Sequence, residues 1–443
     1  DFNIYHIFQG REQYVYEQLV SMSQRTMSPY FLTLPGCWNK DHVNEEFLMN
    51  DICWRFCGGF FIGSADRVLE FHKCYQDYFR GFLEDKKKLV WEVNFWAYLE
   101  LRHGLSVIWY PGDHNERILE ISVKNMALCL SHLPSCTHIK YEYPDHGYYI
   151  PTSTSYLNYN GLDIINTRFV NYWLHPNGAY WIKDPDSYIR TRNFYSPLNN
   201  DGLLPLEFKE MTESESGLQC NGGHIYGLED IRLYEREGKV NFIATNINYS
   251  GLGKNRMVRG LYDIDNGLIL SADVLIPPDP NSWCEKNWIP LVNYGNADNE
   301  YFIYKWYPLE IGVLQPFEES GKKQLQIDKT WHHKTPFFSN VRGSTPFVEC
   351  NEGLLSVVHF SYEGSPRNYF HMLVLLEKET MMPLKYSEFF FFNNMSVEFC
   401  IGFMIRDNKY HFWISNFDRD PELMTVDISE IPFLFNFYFN INV

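Results

Sequence analysis

Charged and amide side chains recur at the ends of apolar runs in the second half of this sequence. Arg168 and Asn171 stand in NTRFVNY, Arg190 and Arg192 in YIRTRN, and Glu229, Asp230 and Arg232 in YGLEDIRLY. Further along come Asn246 ending VNFIATN, Glu285, Lys286 and Asn287 in CEKNWIPL, Arg342 in NVRGSTPFV, and His359 in SVVHFS. Glu398 in SVEFCIGFM and Asp418 in ISNFDRDPELMTV complete the series. A buried charge is costly unless paired, so such groups inside apolar segments imply a common polar cavity or an internal ion-pair network. Arginine's planar fork suits phosphate or carboxylate, and a neighbouring acid can exchange a proton or hold a sugar hydroxyl. His359, within an apolar run, reads first as a core or network histidine and second as a catalyst. No Gly-x-Ser-x-Gly elbow, Walker loop or EF-hand loop accompanies these groups.

The elements that must position them change character along the chain. In the first 130 residues, Leu69 to Val90 carries apolar residues at intervals of three and four and predicts a helix packed on a sheet, with a second helix over Glu92 to Arg102. CGGFFIGSADRV, Cys57 to Val68, reads as an apolar strand turning into a helix. From about residue 145, short runs such as GLDIINTRFVNYWL, YFIYKWYPL and YFHMLVLLE are divided by Asn, Gly, Asp and Pro. They are too numerous for one sandwich, and predict a propeller or a large barrel. No fixed-period repeat is present; strand number and roughly 300 residues at about 40 to 60 per four-stranded blade permit five or six blades.

Composition sets the outer limits. The 443 residues are 45% hydrophobic and 21% charged, which describes a folded chain long enough for two or three domains. Against 55 acidic residues stand 38 basic ones, a net charge of -17 that disfavours nucleic acid and anionic membrane as partners, while leaving room for one local phosphate pocket. The most apolar stretch, SEFFFFNN, is far shorter than the ~20 residues of a transmembrane helix. The ten cysteines show no zinc-finger spacing; Cys53 and Cys57 are the closest couple. They read as reduced structural thiols and point to the cytoplasm.

The second half resembles a known family, the five-bladed β-propellers related to β-mannoside phosphorylases and β-mannosyltransferases. The likeness runs over about 145–443 through NTRFVNY, YIRTRN, GLEDIRLY, EKNWIPL, GSTPF, SVVHF, SVEFCIGF and DRDPELMTVDI, in that order. It implies a sugar site on the propeller axis, with the acid of the family's Glu-Asp-Pro-Arg motif falling on Asp230 and Ile231 standing where the family has proline. By the same resemblance Arg168, Arg190, Arg192, Arg232, Lys286, Arg342 and His359 bind phosphate or an activated sugar's diphosphate, and Asn171, Glu229, Asn246, Glu285, Asn287, Glu398 and Asp418 join the substrate site.

Residues 1–130 resemble the later part of a GT-A-like α/β glycosyltransferase domain of the HtrL/YibB type. DFNIYH matches the end of a Trp-x-Asp segment, CGGFFIG the glycine-rich acceptor strand, and VWEVNFW and WYPGDHN the closing site segments. That likeness implies Glu92 as base or acceptor ligand, Asp1, Asp113 and His114 as metal-side groups, and Mn²⁺ or Mg²⁺ with a nucleotide sugar. A complete domain of this type requires an upstream nucleotide-binding half. Together the two resemblances predict a multidomain α/β plus all-β protein. Its leading expectation is glycosyl transfer from a nucleotide sugar or sugar phosphate to a glycan acceptor. The rivals are a β-mannoside phosphorylase or related glycoside-active propeller, and a non-catalytic propeller that binds glycan or scaffolds partner enzymes.

Overall fold

The short apolar runs of the second half become strands, and strands dominate the chain. The computed structural model describes residues 7–8, 10–23, 32–63, 65–105, 107–119, 127–175, 177–200, 202–317, 321–333, 335–362, 367–394, 396–437 and 439. Contacts divide the chain into two units, Asp1–Leu128 and Cys129–Val443. No helix among the described residues is long and apolar enough to cross a membrane.

The first unit contains helix α1 (Glu12–Ser23), strand β1 (Leu32–Gly36), helix α2 (Glu45–Asn50), strand β2 (Ile62–Gly63), helices α3 (Ala65–Lys86) and α4 (Glu92–His103), and strand β3 (Ile108–Pro111). β1 lies at the centre of the sheet, antiparallel to β2 and parallel to β3, with Gly36 opposite Pro111. The helix expected to reach Val90 stops at Lys86, because Lys87 turns left-handed at φ 51° while its N–H still bonds the Leu83 carbonyl. α4 matches its expected span to within one residue and ends on Gly104 at φ 67°, the left-handed cap that glycine adopts without a Cβ clash. Phe71 and Phe82 of α3 and Phe95 and Leu99 of α4 bury against Leu32 and Leu34 of β1.

In the second unit, consecutive antiparallel strands form sheets in sequence order. The first contains Ile150–Tyr159, Leu162–Val170, Ile189–Pro197 and Lys209–Met211; the second Glu229–Arg236, Lys239–Asn246, Arg256–Asp263 and Leu268–Val274. The third runs from Ile289–Leu291 to Lys322–Trp331, and the fourth is built around Gly353–Tyr362 and Asn368–Leu376. The last holds Glu398–Arg406, Lys409–Asn416 and Arg419–Asp427, and is completed by Thr137–Lys140 from the start of the unit, with Glu422 opposite Lys140. Closing the last sheet with the first strand ties the two ends of the unit together, the propeller-like solution to the open edge of a sheet.

The first strands of successive sheets pack side by side. Gly343 shows how closely: a Cβ there would lie 2.4 Å from Ile289 Cγ1 and 2.6 Å from the Asn287 carbonyl oxygen. The aromatic run of SEFFFFNN is spent on core packing, with Phe389, Phe390 and Phe392 buried.

Candidate functional site: an ionic cluster at one end of the inner strands

The strand Glu229–Arg236 opens with a register shift between Glu229 and Arg232, and Asp230 within it takes φ 53°. A bulge re-aims the side chain it carries. Here it turns the Asp230 carboxylate toward Arg168, whose Nη1 donates to Asp230 Oδ1 at 3.0 Å; Ser153 Oγ donates to the same oxygen at 3.3 Å. Arg168 Nη2 also lies 3.7 Å from Glu229 Oε2, and Lys286 Nζ reaches that oxygen from the other side at 3.8 Å. Tyr172 donates to Asp418 Oδ2 at 3.0 Å and lies within 3.5 Å of Arg168 Nη2. Arg232, 1% exposed, donates to the Ser344 carbonyl at 2.6 Å, to the Asp230 carbonyl at 3.1 Å and to Asn287 Oδ1 at 2.9 Å. Asn287 and Asp418 share the left-handed backbone, at φ 63° and 51°.

The two aspartates are driven apart electrostatically. Burial works against the Asp230 carboxylate, but the charges of Arg168, Arg232 and Lys286 outweigh it and hold the carboxyl below its ordinary range. Burial pushes the Asp418 carboxyl up; Arg168 opposes that push, and the Asp230 charge adds to it. Opposed shifts on neighbouring acids are the arrangement from which a proton donor and a standing anion can be made. Burial lowers Arg232 to about 10, and Glu229 above all raises Lys286.

Lys286, Asn287 and Arg342 line a cavity of about 400 Å³ together with Glu285. The Glu285 carboxylate accepts from Trp288 Nε1 at 3.0 Å and from the Tyr304 hydroxyl at 3.5 Å. Arg342 donates to the backbone carbonyls of Ser339 and Val341, and its strand pairs Arg342 with His359. His359 is buried with Nδ1 2.7 Å from Ser344 Oγ; burial first, then Arg232 and Arg342, lower it to about 3, so it stays neutral.

Other residues singled out in the sequence serve elsewhere. Arg190 pairs with Asp184 and Asp186, and Arg192 pairs with Glu210 while lying over the rings of Tyr149 and Phe194. Asn171 ties two strands by accepting from the Arg190 N–H and donating to the Tyr188 carbonyl. Asn246 bridges Gly227 and Asn248, and Glu398 accepts three consecutive backbone N–H groups from Phe392, Asn393 and Asn394. Glu398 is raised to about 7 by burial, against those three donors. Sequence reasoning missed Ser153, Tyr172 and Ser344. The only signal for Ser153 was the hydroxyl run Thr152–Ser155 inside a strand that proves buried.

In the first unit, Glu92 sits exposed in the first turn of α4, where a carboxylate complements the helix dipole. Asp113 and His114 follow β3 and touch each other, the Asp113 carboxylate accepting from the His114 N–H at 2.7 Å. Asp1 lies outside the described residues.

No protein-family profile and no curated protein matches this sequence. Solved structures do. A β-1,2-mannobiose phosphorylase from Listeria innocua, bound to β-1,2-mannobiose, is 13% identical with a TM-score of 0.42, covering 65% of this chain and 93% of its own. A mannose phosphorylase from Leishmania mexicana, bound to phosphate ion, is 12% identical with a TM-score of 0.40, covering 67% and 90%. A third, from work on mannoside phosphorylases whose family contains glycoside hydrolases targeting β-1,2-mannosidic linkages in Candida mannan, is 10% identical with a TM-score of 0.41, covering 64% and 86%. These likenesses concern fold alone. The leading expectation from sequence, nucleotide-sugar transfer, is corrected: the three chains carry the names of phosphorylases and glycoside hydrolases, and none of the three that of a nucleotide-sugar transferase.

Proposed function

We propose that the second unit is a five-bladed propeller that cleaves a β-mannoside by phosphorolysis. The first unit, in this reading, retains the later part of a GT-A-like fold. One observation carries the proposal: the Asp230–Arg168 pair adjoins Glu229 and Lys286, and Lys286 and Arg342 line the same cavity. Three cations line that cavity, Lys286, Arg342 and Lys305, the last paired with Glu310, and its one acid, Glu285, is held by Trp288 and Tyr304, a setting that suits a phosphate ion.

Bound hydrogen phosphate attacks the anomeric carbon as the glycosidic C–O bond breaks, and the departing oxygen takes the proton that the hydrogen phosphate carried in, passed on through Asp230. The products are a sugar 1-phosphate and the shortened sugar. Asp230 is ionised at rest because cations surround it. A phosphate anion that engages those cations reduces their hold and raises the carboxyl's affinity for a proton, coupling phosphate binding to readiness for proton transfer. The exposed rings of Tyr180 and Trp181, on the hairpin that also carries Tyr172, offer faces on which a sugar can stack.

The test is incubation of the full chain with a β-mannobiose, with and without phosphate, followed by product identification. Sugar 1-phosphate formed only with phosphate is the expected result. Free mannose released at the same rate without phosphate makes the site a hydrolase, and glycan binding without turnover makes it a binding propeller.

A further inference from the structure

The first unit holds a second cluster whose chemistry differs from that of the propeller site. Cys37, Cys57 and His114 each offer one ligand atom, and the three atoms lie within 4.8 Å of one another. The fold brings them together from distant positions. Cys37 follows the end of β1 and His114 follows the end of β3, and these strands run parallel with Gly36 opposite Pro111. The loop after the end of a parallel strand is where open α/β sheets place ligand-binding groups.

Cys57 arrives on a segment that runs back along β1. The Cys57 N–H bonds the Pro35 carbonyl at 2.7 Å, and the Cys37 N–H bonds the Trp54 carbonyl at 2.8 Å. Gly36 makes that approach feasible, since a Cβ there would lie 1.8 Å from the Arg55 carbonyl oxygen. The segment is fixed from behind. Arg55 makes a two-pronged pair with Glu100, both bonds 2.8 Å, and Asn94 of α4 accepts from the Cys53 N–H at 2.8 Å. Around the histidine, Asp113 Oδ1 lies 3.4 Å from His114 Nδ1 and 3.5 Å from Cys37 Sγ, and the Trp54 ring meets the imidazole edge-on at 4.3 Å.

We propose that Cys37, Cys57 and His114 form a binding site for a zinc-class transition metal ion, with the fourth position open to solvent. Two thiolates and an imidazole suit Zn²⁺, whereas Mg²⁺ and Mn²⁺ favour carboxylate, carbonyl and water oxygen. The Mn²⁺ or Mg²⁺ expected beside Asp113 and His114 therefore does not fit the donors that surround them. In a tetrahedral zinc site two sulfurs stand about 3.8 Å apart, so side-chain rotations of about an ångström close the present spacing. Cys37 and His114 are exposed while Cys57 is buried, which leaves the metal's outer side accessible. Three protein ligands with one open position is the pattern of zinc sites that take a ligand rather than only brace a fold. Asp113 is a positioning residue here, its carboxylate lying beside both His114 Nδ1 and the Cys37 thiol.

The experiment uses the full chain, reduced, stripped with chelator and titrated with Co²⁺. One equivalent bound, with thiolate-to-cobalt charge-transfer absorption, the strong visible bands of a four-coordinate ion and displacement by equimolar Zn²⁺, is the expected result. Cys37→Ser and His114→Ala, both at exposed positions, should each weaken binding at least tenfold with the circular dichroism unchanged. Asp230→Asn should leave it untouched. Absence of saturable binding at micromolar Co²⁺, a weak six-coordinate spectrum, or wild-type affinity in both exposed-position variants overturns the site. A Cys37–Cys57 disulfide that persists in the protein as purified under reductant overturns it as well.

Discussion

The same inner strands of the second unit end in two different ways. At the ends that carry Ser153, Asp230, Asn287 and Ser344, charges are buried, paired across strands and set on backbone that L-residues adopt reluctantly. At the opposite ends a cavity of about 450 Å³ opens between residues such as Leu233, Pro290, Phe347 and Phe403. The charges around that cavity pair off ordinarily, Arg406 with Asp163 and Lys378 with Glu349. Left-handed residues stand at both ends, but at the roomier end the acids among them, Glu237 and Asp407, are exposed, whereas at the tighter end Asp230 and Asp418 combine that backbone with burial. Left-handed backbone at a non-glycine residue costs about 1 kcal/mol or more, and a buried charge costs several kcal/mol before it is paired. Costs of that kind gathered at one end mark it as the functional end better than volume does.

The largest effect should come from the acid. Asp230→Asn is expected to lower phosphate-dependent turnover about 10²- to 10⁴-fold. Glu349→Gln, at the opposite cavity, should stay within about twofold, measured in the same assay under the same general acid–base expectation. Equal losses would erase the distinction between the two ends.

Next in size is stability. Arg168→Met leaves Asp230, Glu229 and Asp418 facing one another without their shared cation. Breaking a buried pair of this kind costs about 3–5 kcal/mol, readable as a shifted urea midpoint at pH 7.

A smaller effect lies in pH. His359 titrates at about 3 in the folded chain, below its ordinary value, so between those two values the unfolded chain binds a proton that the folded chain refuses. Its contribution is fully present above the ordinary histidine range and is lost as pH falls toward 3, with a slope of about 1.4 kcal/mol per pH unit. Replacing His359 by Gln should flatten the stability profile between pH 6 and 4 by about that slope. An unchanged slope would mean that the imidazole reaches solvent, and with it that this end of the strands is wet.

Much of the propeller-like half was legible because strands announce themselves through alternation and turn residues, as in GLDIINTRFV and the strand Leu162–Val170 that it becomes. α3 and α4 were legible through their periodicity, except that the left-handed turn at Lys87 left no pattern to read. The site was legible in type but not in membership. Arg168 and Arg192 look alike in sequence, each following a threonine inside a strand, yet one faces Asp230 and the other Glu210. Which face a strand buries depends on register, and a shift of one residue reverses it. The thiol cluster was illegible for a related reason: Cys37 and Cys57 are 20 positions apart, and only the parallel pairing of β1 with β3 and the missing Cβ of Gly36 bring them to His114.

The smallest expected effect tests that contrast between the two arginines. Arg192 shares two bonds with Glu210, but both side chains are about one-third exposed, and its guanidinium rests on Tyr149 and Phe194 at 5.0 and 5.4 Å. Solvent screens such a pair, so Arg192→Gln should cost about 0.5–1 kcal/mol, part of it lost ring packing, and should leave turnover unchanged. Charge count alone would assign the two substitutions equal weight, since each removes one arginine from a carboxylate. If urea unfolding gives Arg192→Gln the same loss as Arg168→Met, the ionic cluster at Asp230 is ordinary surface pairing and its claim to be the working end fails. If the losses separate several-fold, burial rather than charge sets the difference, because the carboxylates abandoned at Arg168 are 13% and 15% exposed and the one abandoned at Arg192 is 34% exposed.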